Sequence, residues 1–235
     1  MISFSNLTRA AILAAVASVG MGNAAQAGLT CAAGVCTASL DTGISGTELN
    51  ANVLFPLFDS TLGTLTSVSV AITAQINITG SSVTNNNALP QSFFANENSF
   101  FSLSDTTHPA SALATALAAV SLDPTFTQHY INLAGGGTTA AFGPSNPTAT
   151  TTLTTPISAF VASGGGNDTI NITTLTGTGF TGGGGLIAGL FNTSGELTMS
   201  ITYDYTPPAV PEPASLALLG AGLAGLGWVR RRRTN

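Results

Sequence analysis

Residues 68–78 read VSVAITAQINI. Val68, Val70, Ile72, Ala74, Ile76 and Ile78 alternate with Ser69, Ala71, Thr73, Gln75 and Asn77. Successive side chains leave a strand on opposite sides, so this period of two marks a strand with one face buried and one wet. A helix does not gather the same six residues onto one stripe. A strand of this length needs partners along its edges and a cover for its apolar face, which commits the chain to a largely β architecture. Residues 197–205 repeat the pattern, with Leu197, Met199, Ile201, Tyr203 and Tyr205 against Thr198, Ser200, Thr202 and Asp204. TINITTL at 169–175 alternates more weakly through Ile170 and Ile172. Short apolar runs at 53–58, 100–103, 127–133 and 186–191 are further strand candidates.

One segment departs from the pattern. PASALATALAAV at 109–120 sets Leu113, Leu117 and Val120 at i, i+4 and i+7 in an alanine-rich background that favours helix. Pro109 suits a first turn, and Asp123-Pro124 stops the run. Glycine clusters at 135–137, 164–166 and 182–185 read as loops. The expected fold is all-β: an antiparallel, jelly-roll-like β-sandwich over 28–206 with one short helix. A right-handed β-solenoid is the runner-up, weakened by the lack of any repeat of fixed period.

The basic residues are Arg9 and Arg230 to Arg233, so the stretch 28–209 holds neither Lys nor Arg. It keeps all ten acids but Glu212, a formal charge of −9 with His108 and His129 neutral. No Lys or Arg ion pair can form inside it, and it has no basic side chain with which to grip a phosphate backbone, so nucleic acid is not an expected partner. Such a surface attracts cations rather than polyanions. An apolar fraction of 44% argues for a packed fold in spite of the low charge.

Both ends read as export signals. Met1 to Ala27 has one base, Arg9, an apolar run over Ala10 to Met21, and Ala25-Gln26-Ala27, an A-x-A cleavage site. Residues 1–27 are therefore expected to be a signal peptide for the Sec machinery, with the mature chain starting at Gly28. Cys31 and Cys36 in an exported chain read as a local disulfide closing a small loop, with a pair of free thiols as the other reading. Two cysteines and two distant histidines make no zinc set, which takes about four ligands. At the other end, residues 207–213 form a stiff proline-rich spacer. Residues 214–229 are apolar or small, a little short for the usual spanning helix of about 17–25 residues. The four arginines of 230–235 hold that end in the cytoplasm, leaving 28–209 outside; a transient hold before cutting and an ordinary C-terminal membrane tail are both open readings.

The motifs for chemistry are thin. Gly177 to Gly182 matches G-x-G-x-x-G, but no βαβ unit surrounds it. Gly164 to Ile170 resembles one calcium-binding nonapeptide repeat, where several stacked copies are needed. Asp41, Asp59 and Asp105 offer oxygen ligands that no spacing gathers. His108 precedes a proline at the helix start and His129 lies in a strand; each reads as a cap, surface or packing residue. No G-x-S-x-G is present. The expectation is no catalytic residue, no metal and no cofactor.

Val210, Pro211, Glu212 and Pro213, the apolar segment and Arg230, Arg231, Arg232 and Arg233 together resemble the PEP-CTERM sorting signal of Gram-negative bacteria. That resemblance implies an inner-membrane intermediate and recognition near Pro-Glu-Pro by a membrane protease, an exosortase. It further implies transfer to the cell surface or release, commonly in bacteria that make exopolysaccharide and biofilm. FPLFDSTLGTLTSVSVAI at 55–72, the Phe100-Phe101 region and MSITYDYTPP at 199–208 resemble the choice-of-anchor E domain. That second resemblance implies a surface role and supplies no catalytic residue. The expected function is structural or adhesive, in an extracellular polysaccharide matrix. The alternative is a carbohydrate-binding module using Phe93, Phe94, Phe100, Phe101 and Tyr130. A hydrolase needs two carboxylates converging in a cleft about 5–10 Å apart.

Overall fold

The computed structural model describes residues 28–46, 48–153, 155–208 and 220–223. Its elements run β1 (Thr30–Ala32), β2 (Val35–Asp41), β3 (Ser45–Gly46), β4 (Asn50–Asp59), β5 (Thr64–Ile78), β6 (Ser81–Asn85) and β7 (Gln91–Asp105). After α1 (Ala112–Ala118) come β8 (Thr125–Leu133), β9 (Thr138–Phe142), β10 (Thr148–Leu153), β11 (Val161–Ala162), β12 (Gly166–Gly182), β13 (Ile187–Leu190) and β14 (Thr193–Thr206). The protein is mostly strand, in several sheets. Their pairings are antiparallel except for the short β11 beside β4, an arrangement that excludes the parallel-stacked solenoid.

Two sheets dominate. One has the order β1-β2-β14-β5-β10, with β3 on β14; the other has the order β11-β4-β12-β7-β8. In chain order, β2, β5, β10 and β14 go to the first sheet, and β4, β7, β8 and β12 to the second. The alternation in the sequence shows directly in burial. Val70, Ile72, Ala74, Ile76 and Ile78 of β5, with Leu197, Met199, Ile201 and Tyr203 of β14, turn into one core. Val53 and Phe55 of β4, Phe101 and Leu103 of β7, and Ile170 and Ile172 of β12 meet them from the other sheet. Each such side chain removed from water contributes about 1.5–3 kcal/mol. The rings of Phe58 and Tyr203 lie 5.9 Å apart between the two sheets, and the Tyr203 hydroxyl donates across to the Pro56 carbonyl at 2.8 Å.

A third sheet, β13-β6-β9, joins the second through aromatic stacking, Phe142 of β9 lying 5.8 Å from Phe126 of β8. The helix is shorter than the sequence implied. It begins after Ser111, whose Oγ caps it by accepting from the Ala114 amide at 2.9 Å, so Pro109 stands ahead of the helix rather than in its first turn. It ends at Ala118, well before Pro124, and buries Leu113, Ala114 and Leu117. The G-x-G-x-x-G stretch is no phosphate loop: Gly177 to Gly182 lie inside β12, paired residue by residue with Asn98 to Phe93 of β7.

Candidate functional site

Alternation carries two acids to core positions. On β7 the inward residues run Phe93, Ala95, Glu97, Ser99, Phe101, Leu103 and Asp105; on β12 they include Asp168, Ile170 and Ile172. The register sets Asp105 opposite Ile170, so Asp168 lies one inward step further along its strand. Both carboxylates thus close one end of the core, each only 3% exposed. The chain leaving β7 folds over them. Thr106 donates its amide to the Thr169 carbonyl at 2.8 Å, and the Thr107 hydroxyl accepts from the Thr169 amide at 2.7 Å. Asp105 Oδ1 accepts the amides of Thr107 and His108, both at 2.9 Å, and Ser111 Oγ donates to Asp105 Oδ2 at 3.2 Å.

This loop brings the His108 ring down so that Nδ1 stands 2.8 Å from Asp168 Oδ1. The His108 side chain is 63% exposed and that of Asp168 only 4%. One coordinating atom each from Asp105, His108 and Asp168 falls within 4.8 Å of the other two. Tyr203 senses the cluster: burial first, and then the charge of Asp168, push its phenol well above the ordinary value. The surface depression lined by Gly28, Leu29, Pro56, Leu57 and Asn167 does not include the three residues. Two buried carboxylates and an imidazole are a set for holding a cation. The Ser111 hydroxyl is engaged at both ends, donating to Asp105 and accepting from the Ala114 amide.

The outward face of the same sheet is a second feature. Phe94 and Phe100 of β7 stand 41% and 42% exposed. The His129 ring stacks on Phe94 at 4.2 Å, and Phe100 pairs with exposed Leu175. Between them, Asn96 donates to Thr181 Oγ1 at 3.0 Å and accepts from Thr127 Oγ1 at 3.2 Å. Asn98 lies across Gly177, where an added Cβ would come within 2.8 Å of its Oδ1. Further along, Asn171 Nδ2 donates to Asn50 and Asn52 at 2.9 Å each. Phe93 and Phe101, expected as exposed rings, are instead buried, because neighbours on a strand take opposite faces. Tyr130 is half-buried, stacked 5.1 Å from Phe93.

At the start of the described chain Cys31 and Cys36 face each other across the β1–β2 hairpin and are joined by a disulfide, with Gly28 exposed just before it. At the other end β14 stops at Thr206 and leads into Pro207, Pro208 and the Pro-Glu-Pro segment. Residues 209–233 match the PEP-CTERM protein-sorting motif. The PEP-CTERM motif takes in Val210 to Pro213 and Arg230 to Arg233, and it implies export and sorting to the cell surface with an exosortase as processing partner. These residues, like Ala25, Ala27 and the rest of 1–27, lie outside the described residues; 220–223 are helical. No helix among the described residues is long and apolar enough to cross a membrane.

No curated protein matches the chain. Among solved structures it is similar to that of infectious bursal disease virus, Gx strain, at 10% identity and a TM-score of 0.22, covering 81% of this chain and 41% of that one. The VP2 subviral particle of the same virus gives 10% identity and a TM-score of 0.20, over 74% of this chain and 38% of that one. The chain spans about two-fifths of the length of each, and likeness at this level carries nothing about role. None of these matches answers to the choice-of-anchor E domain.

Sequence reasoning named Asp41, Asp59 and Asp105 as oxygen ligands that no spacing gathers; the fold brings Asp105 together with His108 and Asp168. Asp59 caps the turn at Ser60–Leu62 instead, accepting the amides of Thr61 and Gly164, which hold its pKa below the ordinary value. The overlooked signal was phase. Asp168 is in step with Ile170 and Ile172, and Asp105 with Phe101 and Leu103, so each acid occupies an apolar position of its strand.

Proposed function

We propose that the chain is an exported, exosortase-sorted protein whose domain over 28–206, a jelly-roll β-sandwich of choice-of-anchor E type, is presented outside a Gram-negative cell. There it has a structural or adhesive role in the extracellular polysaccharide matrix and no catalytic one. The observation that carries the reading is the PEP-CTERM motif at 209–233, which begins directly after the last strand. Export through Sec leaves an inner-membrane intermediate held by 214–229, with Arg230 to Arg233 inside by the charge rule for cytoplasmic flanks. Exosortase then cuts near Pro211 to Pro213. A domain without Lys or Arg suits display in a polyanionic or neutral polymer, where basic patches would bind without selection. The eight longer strands, split four and four between two facing sheets, support the jelly-roll assignment. Replacing Pro211, Glu212 and Pro213 together by alanine is expected to trap the protein in the inner-membrane fraction, while the unchanged chain is recovered outside. Equal recovery of both outside the cell would defeat the reading.

A second reading, a carbohydrate-binding module, is favoured by the outward face of β7. Phe94 and Phe100 present two half-exposed rings on a face whose β7 and β12 strand positions carry no Asp, Glu, Lys or Arg, with Asn and Thr between them. Aromatic contacts are worth about 0.5–1.5 kcal/mol each beyond the area they bury, so the Phe94→Ala, Phe100→Ala double variant is expected to bind the host exopolysaccharide about tenfold or more weakly. Titration calorimetry with the purified polysaccharide checks this; no saturable heat with the unchanged protein leaves the matrix reading alone.

A further inference from the structure

We propose that Asp105, His108 and Asp168 bind one divalent transition-metal cation, zinc in preference to manganese or calcium, and that the ion staples the 106–111 loop to β12. This goes beyond the sorting reading and does not depend on it. Two carboxylates sit side by side at core positions, each 3% exposed. Charge removed from water has to be compensated, and the stretch 28–208 has no Lys or Arg to do so. An exposed imidazole is the one basic group in contact with the pair. A divalent cation balances two carboxylates.

A second observation points to a ligand. Oδ1 of the Asp168 carboxylate is held by His108 Nδ1 on a side chain only 4% exposed, and Oδ2 is not sealed away from an ion that enters the cluster from solvent. Asp105, by contrast, is oriented by two amides and a hydroxyl, the outer contacts that fix a metal ligand in place. The 2.8 Å between His108 Nδ1 and Asp168 Oδ1 is shorter than the edge of about 3.3–3.6 Å between two ligands at about 2.0–2.2 Å from a tetrahedral zinc ion, so a small outward turn of the exposed His108 ring lets both atoms reach one ion. The exposed edge of the His108 ring leaves an approach from solvent, and three protein ligands leave a coordination position for water.

The donor set decides the ion. Calcium and magnesium take oxygen ligands, whereas an imidazole nitrogen beside carboxylates suits zinc or manganese, and zinc stands above manganese in the affinity order of divalent metals. Several remote parts of the chain serve the site: β7 supplies Asp105, β12 supplies Asp168, and the loop ahead of α1 supplies His108.

The test uses the full chain in mild detergent, stripped with a chelator, then titrated with zinc, manganese or calcium chloride by calorimetry and followed by thermal melting. One zinc per chain is expected with a dissociation constant below about 100 µM, a raised melting midpoint, manganese at least about tenfold weaker, and no heat with calcium. Because Asp168→Asn alters a buried residue, the decisive variant is His108→Ala on an exposed one. It is expected to lower the metal-free midpoint somewhat, because Asp168 loses its partner, and to lose about 100-fold or more in zinc affinity in titrations of the still-folded variant, since even supporting residues of metal sites cost 10–100-fold. His129→Ala is expected to bind zinc as the unchanged chain does. The proposal is overturned by no saturable zinc binding up to millimolar, by calcium binding more tightly than zinc, or by zinc affinity that survives His108→Ala.

Discussion

Phe58→Ala is expected to lower the unfolding free energy by about 3–5 kcal/mol, the cost of truncating a buried phenylalanine in a packed core. Phe58 is fully buried near the end of β4 and reaches across to the other sheet, its ring centroid 5.9 Å from that of Tyr203 and 5.2 Å from that of Tyr205. Truncation leaves a cavity between two sheets, walled by the rings of Tyr203 and Tyr205, that the hydrogen-bonded strands close only in part. Domains of this size are stable by about 5–15 kcal/mol in total, and the loss is a large fraction of that. In thermal melting it corresponds to a drop on the order of 10 °C. Phe94→Ala, on the outward face between buried Phe93 and Ala95, is the control and is expected to stay within about 0.5 kcal/mol. Denaturant melts of both variants check the pair. A Phe58→Ala cost under 1 kcal/mol would mean that the two sheets do not meet through this ring.

Glu97→Gln is expected to stabilise the protein at neutral pH by about 1–3 kcal/mol, and to do so only there. Glu97 points inward from β7, 1% exposed, and neither carboxylate oxygen has a hydrogen-bond partner among the described residues. Burial raises its pKa above the ordinary 4.5; the Thr193 hydroxyl nearby opposes the rise without reaching hydrogen-bond geometry. The native state therefore holds the Glu97 proton to higher pH than the unfolded chain does. Its contribution is fully present below about pH 4.5, is lost as pH rises from there through the raised folded value, and stays lost above it. Glutamine keeps the shape and removes the ionisation. The midpoint difference between variant and unchanged protein is thus expected to be near zero at pH 4 and to grow to a plateau by pH 7–8. A difference that does not change with pH would show that Glu97 is not desolvated as the structure places it.

The same residue explains how much of the fold the sequence disclosed. Where inward positions are all apolar, as in 68–78 and 197–205, period two was legible and the strands β5 and β14 follow, lengthened by a few residues at their ends. In β7 the inward row runs Phe93, Ala95, Glu97, Ser99, Phe101, and two polar residues in the middle break the signal. Only 100–103 was recognised, although the strand extends from Gln91 to Asp105. β12 was lost past Leu175 for a different reason: Gly177, Gly179 and Gly182 read as loop or phosphate motif, and only pairing with β7 holds them extended. The cation cluster was half local. Asp105 and His108 are three residues apart, but Asp168 joins them through a register sixty-odd positions away, which composition and spacing do not encode. The rings of Phe94 and Phe100 were correctly picked out as aromatic, yet which of each Phe-Phe pair faces solvent depended on the phase of a strand whose pattern was obscured.

The central claim is that the PEP-CTERM motif is read and removed on the way to the cell surface. The most direct measurement is the intact mass of the protein recovered from the outer surface or medium of its native host. The account predicts a chain that starts at Gly28 and ends near Pro211, without Arg230 to Arg233. A mass that still contains the four arginines, found with the inner membrane, would contradict it and make the tail a permanent anchor.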